Sequence, residues 1–216
     1  MGTAKTATSW LCCPCRCVFR GVVGCVVGAL TCVVLAAGLA ALALYLFFRP
    51  HLVQATAVAA ELPVFALTAR TWILRYNASV ALHLRNPNRR IAVDYYRGLA
   101  AHAFYEGQRF ADNAAPLPPF FQGTGETTPL ALAFAGRSPL VGGVAAAGFR
   151  REAAEGATFS VAVKLDAHTR LRVWAFTVAG PKAKIDCPLR IKRRNATAPA
   201  GAPPPEFTPT KCRVWF

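Results

Sequence analysis

Residues 159–166 read FSVAVKLD, with Phe159, Val161, Val163 and Leu165 alternating with Ser160, Ala162, Lys164 and Asp166. A period of two is that of a β-strand with one buried face and one wet face. The same period recurs upstream. Val80, Leu82 and Leu84 alternate with Ala81, His83 and Arg85, and Ile91, Val93 and Tyr95 alternate with Ala92, Asp94 and Tyr96. Further strands are predicted over Leu62–Thr68, Gly98–Tyr105, Thr128–Phe134, Leu171–Val178 and Lys184–Ile191, with a last one from Lys211. Turn residues separate them at Asn86-Pro87-Asn88, Glu106-Gly107-Gln108, Gly180-Pro181 and Gly201–Pro205. About eight short strands with polar turns predict a mainly β fold, an antiparallel sandwich. Leu140–Glu155 breaks the pattern and predicts a short helix, weakened by Gly142-Gly143. Ala196–Pro205, rich in Pro and Gly, reads as a loop.

The chain of 216 residues is 54% hydrophobic and 16% charged, and the apolar excess is local. Gly21 to Phe48 contains no Asp, Glu, Lys, Arg, His, Asn or Gln. A bilayer core needs about 20 apolar residues in a helix, so residues 21–48 are predicted to span a membrane, with Tyr45 and Phe47 at the interface. A buried core helix would need a polar face, and a cleaved signal peptide has an apolar region of only about 7–15 residues. The reading is therefore an uncleaved signal anchor dividing the chain into a tail at 1–20, a span at 21–48 and an outer domain at 51–216. Lys5, Arg16 and Arg20 precede the span, whereas Arg49 alone immediately follows it. This bias predicts a cytosolic N-terminus. The glycosylation sequons Asn77-Ala78-Ser79 and Asn195-Ala196-Thr197 both follow the span, which agrees.

The membrane sorts the eight cysteines. Cys12, Cys13, Cys15 and Cys17 precede the span, Cys25 and Cys32 lie within it, and Cys187 and Cys212 follow it. In a reducing cytosol the first four are candidates for S-acylation, with unmodified thiols and metal binding as alternatives. Zinc sites commonly place a second cysteine or histidine pair further along the chain, and none is present in the tail. Cys187 and Cys212 are the only cysteines of the outer domain, so their pairing is unambiguous if a bridge forms. Both lie on alternating patterns, as expected of neighbouring strands. Within the span, Gly24, Gly28, Cys32, Ala36 and Ala40 recur every fourth residue, a candidate helix-packing face for self-association.

No pattern carries enzymatic chemistry. The metal-protease, nucleophile-elbow and phosphate-loop motifs are absent, and His51, His83, His102 and His168 have no neighbours at ligand spacing. No cofactor is expected. The outer domain holds 21 Lys and Arg against 10 Asp and Glu, a net +11. Outside a cell such a charge favours anionic lipid headgroups or acidic wall polysaccharide, and the topology argues against nucleic acid. Compositional drift gives the same charge without a partner, since 19 of the 25 basic residues are Arg in an Ala-rich chain.

The stretches "RNPNRRIAVDYYRG" (85–98), "FYEGQRFA" (104–111) and "TKCRVWF" (210–216), behind a Cys-rich lead and one span, resemble the plant non-race-specific-disease-resistance/harpin-induced-like proteins. The outer part of those proteins is a group-two late-embryogenesis-abundant domain. The resemblance covers nearly the whole chain, and the turn Asn86, Pro87, Asn88 followed by Tyr95-Tyr96 and Tyr105-Glu106-Gly107 is its most specific element. It implies a fibronectin/immunoglobulin-like sandwich on a plasma-membrane anchor, with roles in defence, stress and senescence and no catalytic residues to carry over. Two function classes follow. One is a non-enzymatic interaction or adhesion module with protein partners in defence signalling. The other is a stress-protective protein that stabilises membranes or lipids without a specific partner.

Overall fold

The computed structural model describes residues 13–48, 51–68, 70–115, 117–194 and 205–216, with side chains in the N-terminal helix given for 24–43, 45 and 46. The chain forms two compact units, Met1–Arg49 and Pro50–Phe216. The described part of the first is one helix, α1 (Cys13–Phe48). It starts eight residues before the uncharged run and takes in Cys13, Cys15 and Cys17, because Pro14 in a first turn costs no intrahelical hydrogen bond. Its segment Gly24–Ala43, with mean hydropathy 2.5, is long and apolar enough to cross a membrane. The residues of α1 whose exposure is described are exposed all round, Gly24, Gly28, Cys32, Ala36 and Ala40 included.

The second unit is two antiparallel sheets. The smaller contains β1 (Gln54–Leu67), β2 (Ile73–Arg85), β7 (Thr127–Pro139) and the short β10 (Thr210–Lys211), in the order β10-β1-β2-β7. The larger is built on two long strands, β8 (Thr158–Val173) and β9 (Phe176–Lys192). β11 (Arg213–Trp215) pairs with β9 on one side. On the other side β8 carries two short strands end to end, β4 (Leu99–Tyr105) and β3 (Ala92–Tyr95). β5 (Gln108–Asp112) extends β4, and β6 (Phe120–Gln122) extends β3.

The alternation read at 159–166 is the core face of β8: Phe159, Val161, Val163 and Leu165 are buried and Ser160, Lys164 and Asp166 are not. Phe65 lies at the centre of the aromatic core, with ring centroids 4.8 Å from Phe159, 5.4 Å from Tyr105, 5.7 Å from Phe149 and 5.8 Å from Phe110. Phe149 comes from α2 (Gly143–Ala154), the short helix expected in the Leu140–Glu155 stretch. The Tyr105 hydroxyl donates to Glu152 of the same helix at 2.8 Å. Burial, reinforced by that bond, raises the pKa of Tyr105, and burial alone raises that of Tyr95.

Several expectations need correction. Leu171–Val178 is not one strand. β8 runs on to Val173, the chain turns at Trp174-Ala175, and β9 begins at Phe176, with Val173 opposite Phe176. Gly180-Pro181 is not a turn either. It lies inside β9 at a register shift opposite His168–Arg170. There the Thr169 hydroxyl donates to the Pro181 carbonyl at 2.7 Å, and a Cβ on Gly180 would come within 2.5 Å of Thr169 Oγ1. A proline that cannot donate to a ladder is tolerated at such a bulge. Pro63 is likewise accommodated in β1, where the register shifts between Glu61 and Val64. The strand expected from Leu62 extends back to Gln54, because small residues, Ala55, Ala57 and Ala60, fill the inward positions. The expected loop lies almost wholly in 195–204, outside the described residues.

The C-terminal segment joins the two sheets. β10 pairs with β1 of the small sheet, and three residues on β11 pairs with β9 of the large one. Cys212 lies between them, its amide donating to Ala55 O at 2.9 Å and its sulfur bonded to Cys187 of β9, with the Cα atoms 4.3 Å apart. Reducing this bridge is expected to cost about 3 kcal/mol in the chain-entropy account. Urea unfolding of the full-length protein in detergent, with and without reductant, checks it. Coincident midpoints would show that the strand pairing holds the C-terminus unaided.

Candidate functional site

The buried polar groups of the sandwich gather at one end, where β2 finishes and the chain first enters the domain at His51. Asn86 and Asn88 are buried, with Pro87 between them. The Asn86 amide nitrogen donates to the carbonyls of Ile91 at 2.8 Å and Gly123 at 2.9 Å. Its oxygen accepts from the backbone and side-chain N–H groups of Asn88 at 3.1 and 2.9 Å. Asn88 then reaches outward. Its side-chain nitrogen donates to His51 O at 2.8 Å, and its side-chain oxygen accepts from His51 N–H at 2.6 Å. One side chain thus satisfies both backbone groups of the residue that opens the domain, as a neighbouring strand would. Nearby, the Gln122 side chain donates to Leu84 O at 2.6 Å.

The same end carries the tip of the β8–β9 hairpin. A recess of about 260 Å³ has His51, Leu52, Ile91, Leu171 and Phe216 in its wall. Beyond it the hairpin overhangs the core. Trp174 at the turn is 94% exposed and Phe176 72%, values that mark a projecting apolar tip. The outer face of the overhang is basic. Arg170 Cζ lies 4.1 Å from the centre of the Tyr96 ring, Arg97 Cζ lies 5.6 Å from the same ring, and Arg172 Cζ lies 5.5 Å from that of Phe121. Among the described residues none of these three arginines pairs with a carboxylate.

Elsewhere, His102 Nδ1 and Arg109 Nε lie 2.8 and 2.7 Å from Asp112 Oδ1 on the β4–β5 hairpin. These contacts hold the Asp112 pKa below its ordinary value. The group is exposed and has no nucleophile beside it. Among the described residues no three His, Cys, Asp or Glu side chains gather as a metal site would require.

The sequence-derived sites fall as follows. Cys187 and Cys212 meet as expected. Asn77 is exposed on the outer face of β2. Asn195 and Cys12 lie outside the described residues. Cys13, Cys15 and Cys17 lie in the first turns of α1, with side chains outside the description. The hairpin tip is hidden in the sequence, where Leu171–Val178 reads as one strand; its signal is Trp174 and Phe176, which flank Ala175 and break the alternation.

A family model described as late embryogenesis abundant protein (LEA_2) matches residues 81–192, which include the Asn86–Asn88 turn and the whole β8–β9 hairpin. Among curated proteins of Arabidopsis thaliana, NDR1/HIN1-like protein 10 is 30% identical over 83% of this chain and 77% of its own length. NDR1/HIN1-like protein 3 is 32% identical over 83% and 74%. The chain belongs to the NDR1/HIN1-like family of late embryogenesis abundant proteins. NDR1/HIN1-like protein 2 matches at 29% identity over 79% of this chain and 69% of its own. The family associates the chain with defence and stress responses. Within it, the Asn-Pro-Asn turn of this chain acts as a clamp on the first residue of the domain. Replacing Asn88 by Ala strands two backbone groups of His51 and is expected to cost about 2–3 kcal/mol. Replacing the exposed Asn77 by Gln should cost almost nothing. Urea midpoints of the two full-length variants test the contrast, and equal values would mean that Asn88 is not a clamp.

Proposed function

We propose that the protein is a single-pass plasma-membrane protein with residues 1–20 in the cytosol and the sandwich outside the cell, acting without catalysis as an interaction or adhesion module in defence and stress signalling. The observation that carries this reading is the Cys187–Cys212 bridge in the sandwich, preceded in the same chain by an apolar helix. A disulfide belongs in an oxidising compartment, and Lys5, Arg16 and Arg20 on the other flank favour the cytosol. Asn77, exposed on the outer face of β2, and Asn195 are the proposed glycan acceptors. Cys12, Cys13, Cys15 and Cys17 are the proposed acylation sites, and Gly24, Gly28, Cys32, Ala36 and Ala40 the proposed face for self-association. Protein partners in defence signalling, acidic wall polysaccharide and anionic lipid are the partner classes that fit a basic domain without a catalytic cluster.

The description of the family as late embryogenesis abundant favours a second reading, a stress-protective protein that stabilises membranes without a specific partner. The two diverge in a pull-down from plasma membrane: a stoichiometric protein partner supports the first, lipid or polysaccharide alone the second.

The topology is tested on sealed microsomes. Protease added outside should remove only the short tail and leave the sandwich intact. Glycosidase after lysis should increase mobility, less so in Asn77→Gln. A sandwich digested in sealed vesicles would reverse the proposed orientation.

A further inference from the structure

From the geometry of the β8–β9 tip we infer a second membrane contact: the hairpin overhang inserts its apolar tip into the interface of an anionic leaflet. This inference rests on the reading of α1 as a span, and it adds a site and a ligand chemistry to it.

Four observations converge. The first is chemical. Trp174, Phe176 and Val178 project from the end of the hairpin, half to fully exposed, and Leu52 and Phe216 at the same end are also exposed. Trp and Phe are side chains that settle at the boundary between headgroups and acyl chains.

The second is charge. Arg170 and Arg172 lie on the opposite face of the overhang from Phe176 and Val178, because Val173 faces Phe176 and Leu171 faces Val178 across the hairpin. A tip entering the interface would leave both guanidinium groups at the level of the phosphates, which Arg binds with two parallel hydrogen bonds. Asp94, opposite Arg170 across β3 and β8, offsets part of that charge. Arg172 faces Ala92 and has no such neighbour.

The third is backbone strain. Trp174 has φ 57°, the left-handed region that a glycine would occupy at no cost. A bulky residue is held there in contact with solvent, and such outliers collect where a side chain serves binding rather than packing. Trp72 at the far end shares the conformation, at φ 54°, so strain allows a binding role at the tip and placement decides between the two ends.

The fourth is placement. The recess walled by Leu171 and Phe216 is also walled by His51 and Leu52. The tip therefore belongs to the end of the sandwich at which the chain arrives, with two residues between His51 and the helix end at Phe48. At most about 3.6 Å per residue of extended chain keeps a bilayer within reach of this end. The far end also shows apolar side chains, Val141 and Val144 beside Trp72. There Arg150 stacks on Trp72 at 5.1 Å, and the chain reaches this end only where β1 finishes at Leu67. Acidic polysaccharide would suit the arginines, but it has no use for Phe176 and Val178 on the apolar face.

The test uses the full-length protein in nanodiscs whose phosphatidylcholine carries brominated acyl chains, with or without phosphatidylserine. Trp174→Gly removes the tip while relieving the strained position, so the fold is retained, and wild type minus variant isolates the emission of Trp174. In phosphatidylserine discs that difference emission should be blue-shifted, quenched by bromine and shielded from aqueous acrylamide. Its quenching by bromine should fall by at least half in pure phosphatidylcholine discs and in the doubly substituted Arg170→Gln, Arg172→Gln protein. Acrylamide quenching equal to that of a free indole, with none by bromine, would overturn the inference. So would equal bromine quenching in both lipids, or shielding that appears only as protein per disc rises, which would assign the tip to a second copy. Both leaflets of a disc are accessible, so an inverted topology would leave this result unchanged and show only in the protease experiment.

Discussion

Two hydrogen bonds from the side chain of Asn88 to the backbone of His51 fix where the chain enters the sandwich. Asn88 is itself held by Asn86, and Asn86 by the carbonyls of Ile91 and Gly123, so the clamp reaches from the end of β2 to the residues next to β3 and β6 of the large sheet. A buried network of this kind is costly unless every member is satisfied, and for that reason it specifies one arrangement. The arrangement it specifies places His51, the recess and the β8–β9 tip at one end of the domain. The β1 and β9 edges of the two sheets are joined by a different device, the C-terminal strand that changes sheets at Cys212 and is bridged there to Cys187. The clamp fixes the chain's entry and the bridge closes the sandwich.

Much of this was legible in the residues. The alternation at 159–166 and 80–85 gave the buried faces of β8 and β2 because a strand with one wet side must alternate. The uncharged run at 21–48 marked the helix for an equally simple reason. The two outer cysteines could pair only with each other. The Asn-Pro-Asn turn was visible as a turn, but its function as a clamp was not. Its partner His51 lies 37 residues away from Asn88, and no local signal reports a side chain standing in for a strand.

The errors share one cause. Gly180-Pro181 has turn chemistry and lies in a bulge, while Trp174-Ala175 lacks turn chemistry and makes the turn. Tertiary pairing along β8 and β9 outweighed local preference at both places, since moving the turn to Gly180 would give up the ladder from Leu171 to Val178. The position where local preference was most clearly overridden, Trp174, is also the most exposed large apolar side chain described in the sandwich. Conflict between a residue and its backbone is expected where function rather than folding chose the residue.

The sandwich has a basic outer face, no metal-ligating cluster among its described residues, and a projecting apolar tip at the end where the chain enters. The central proposal is that this end, and not the far one, meets a bilayer. Hydrogen–deuterium exchange of the full-length protein, compared between detergent and phosphatidylserine nanodiscs, addresses that directly. The account predicts slower exchange in the discs at 51–53 and 172–178, with 141–146 unchanged. Slowing at 141–146 instead, or at neither end, would contradict it.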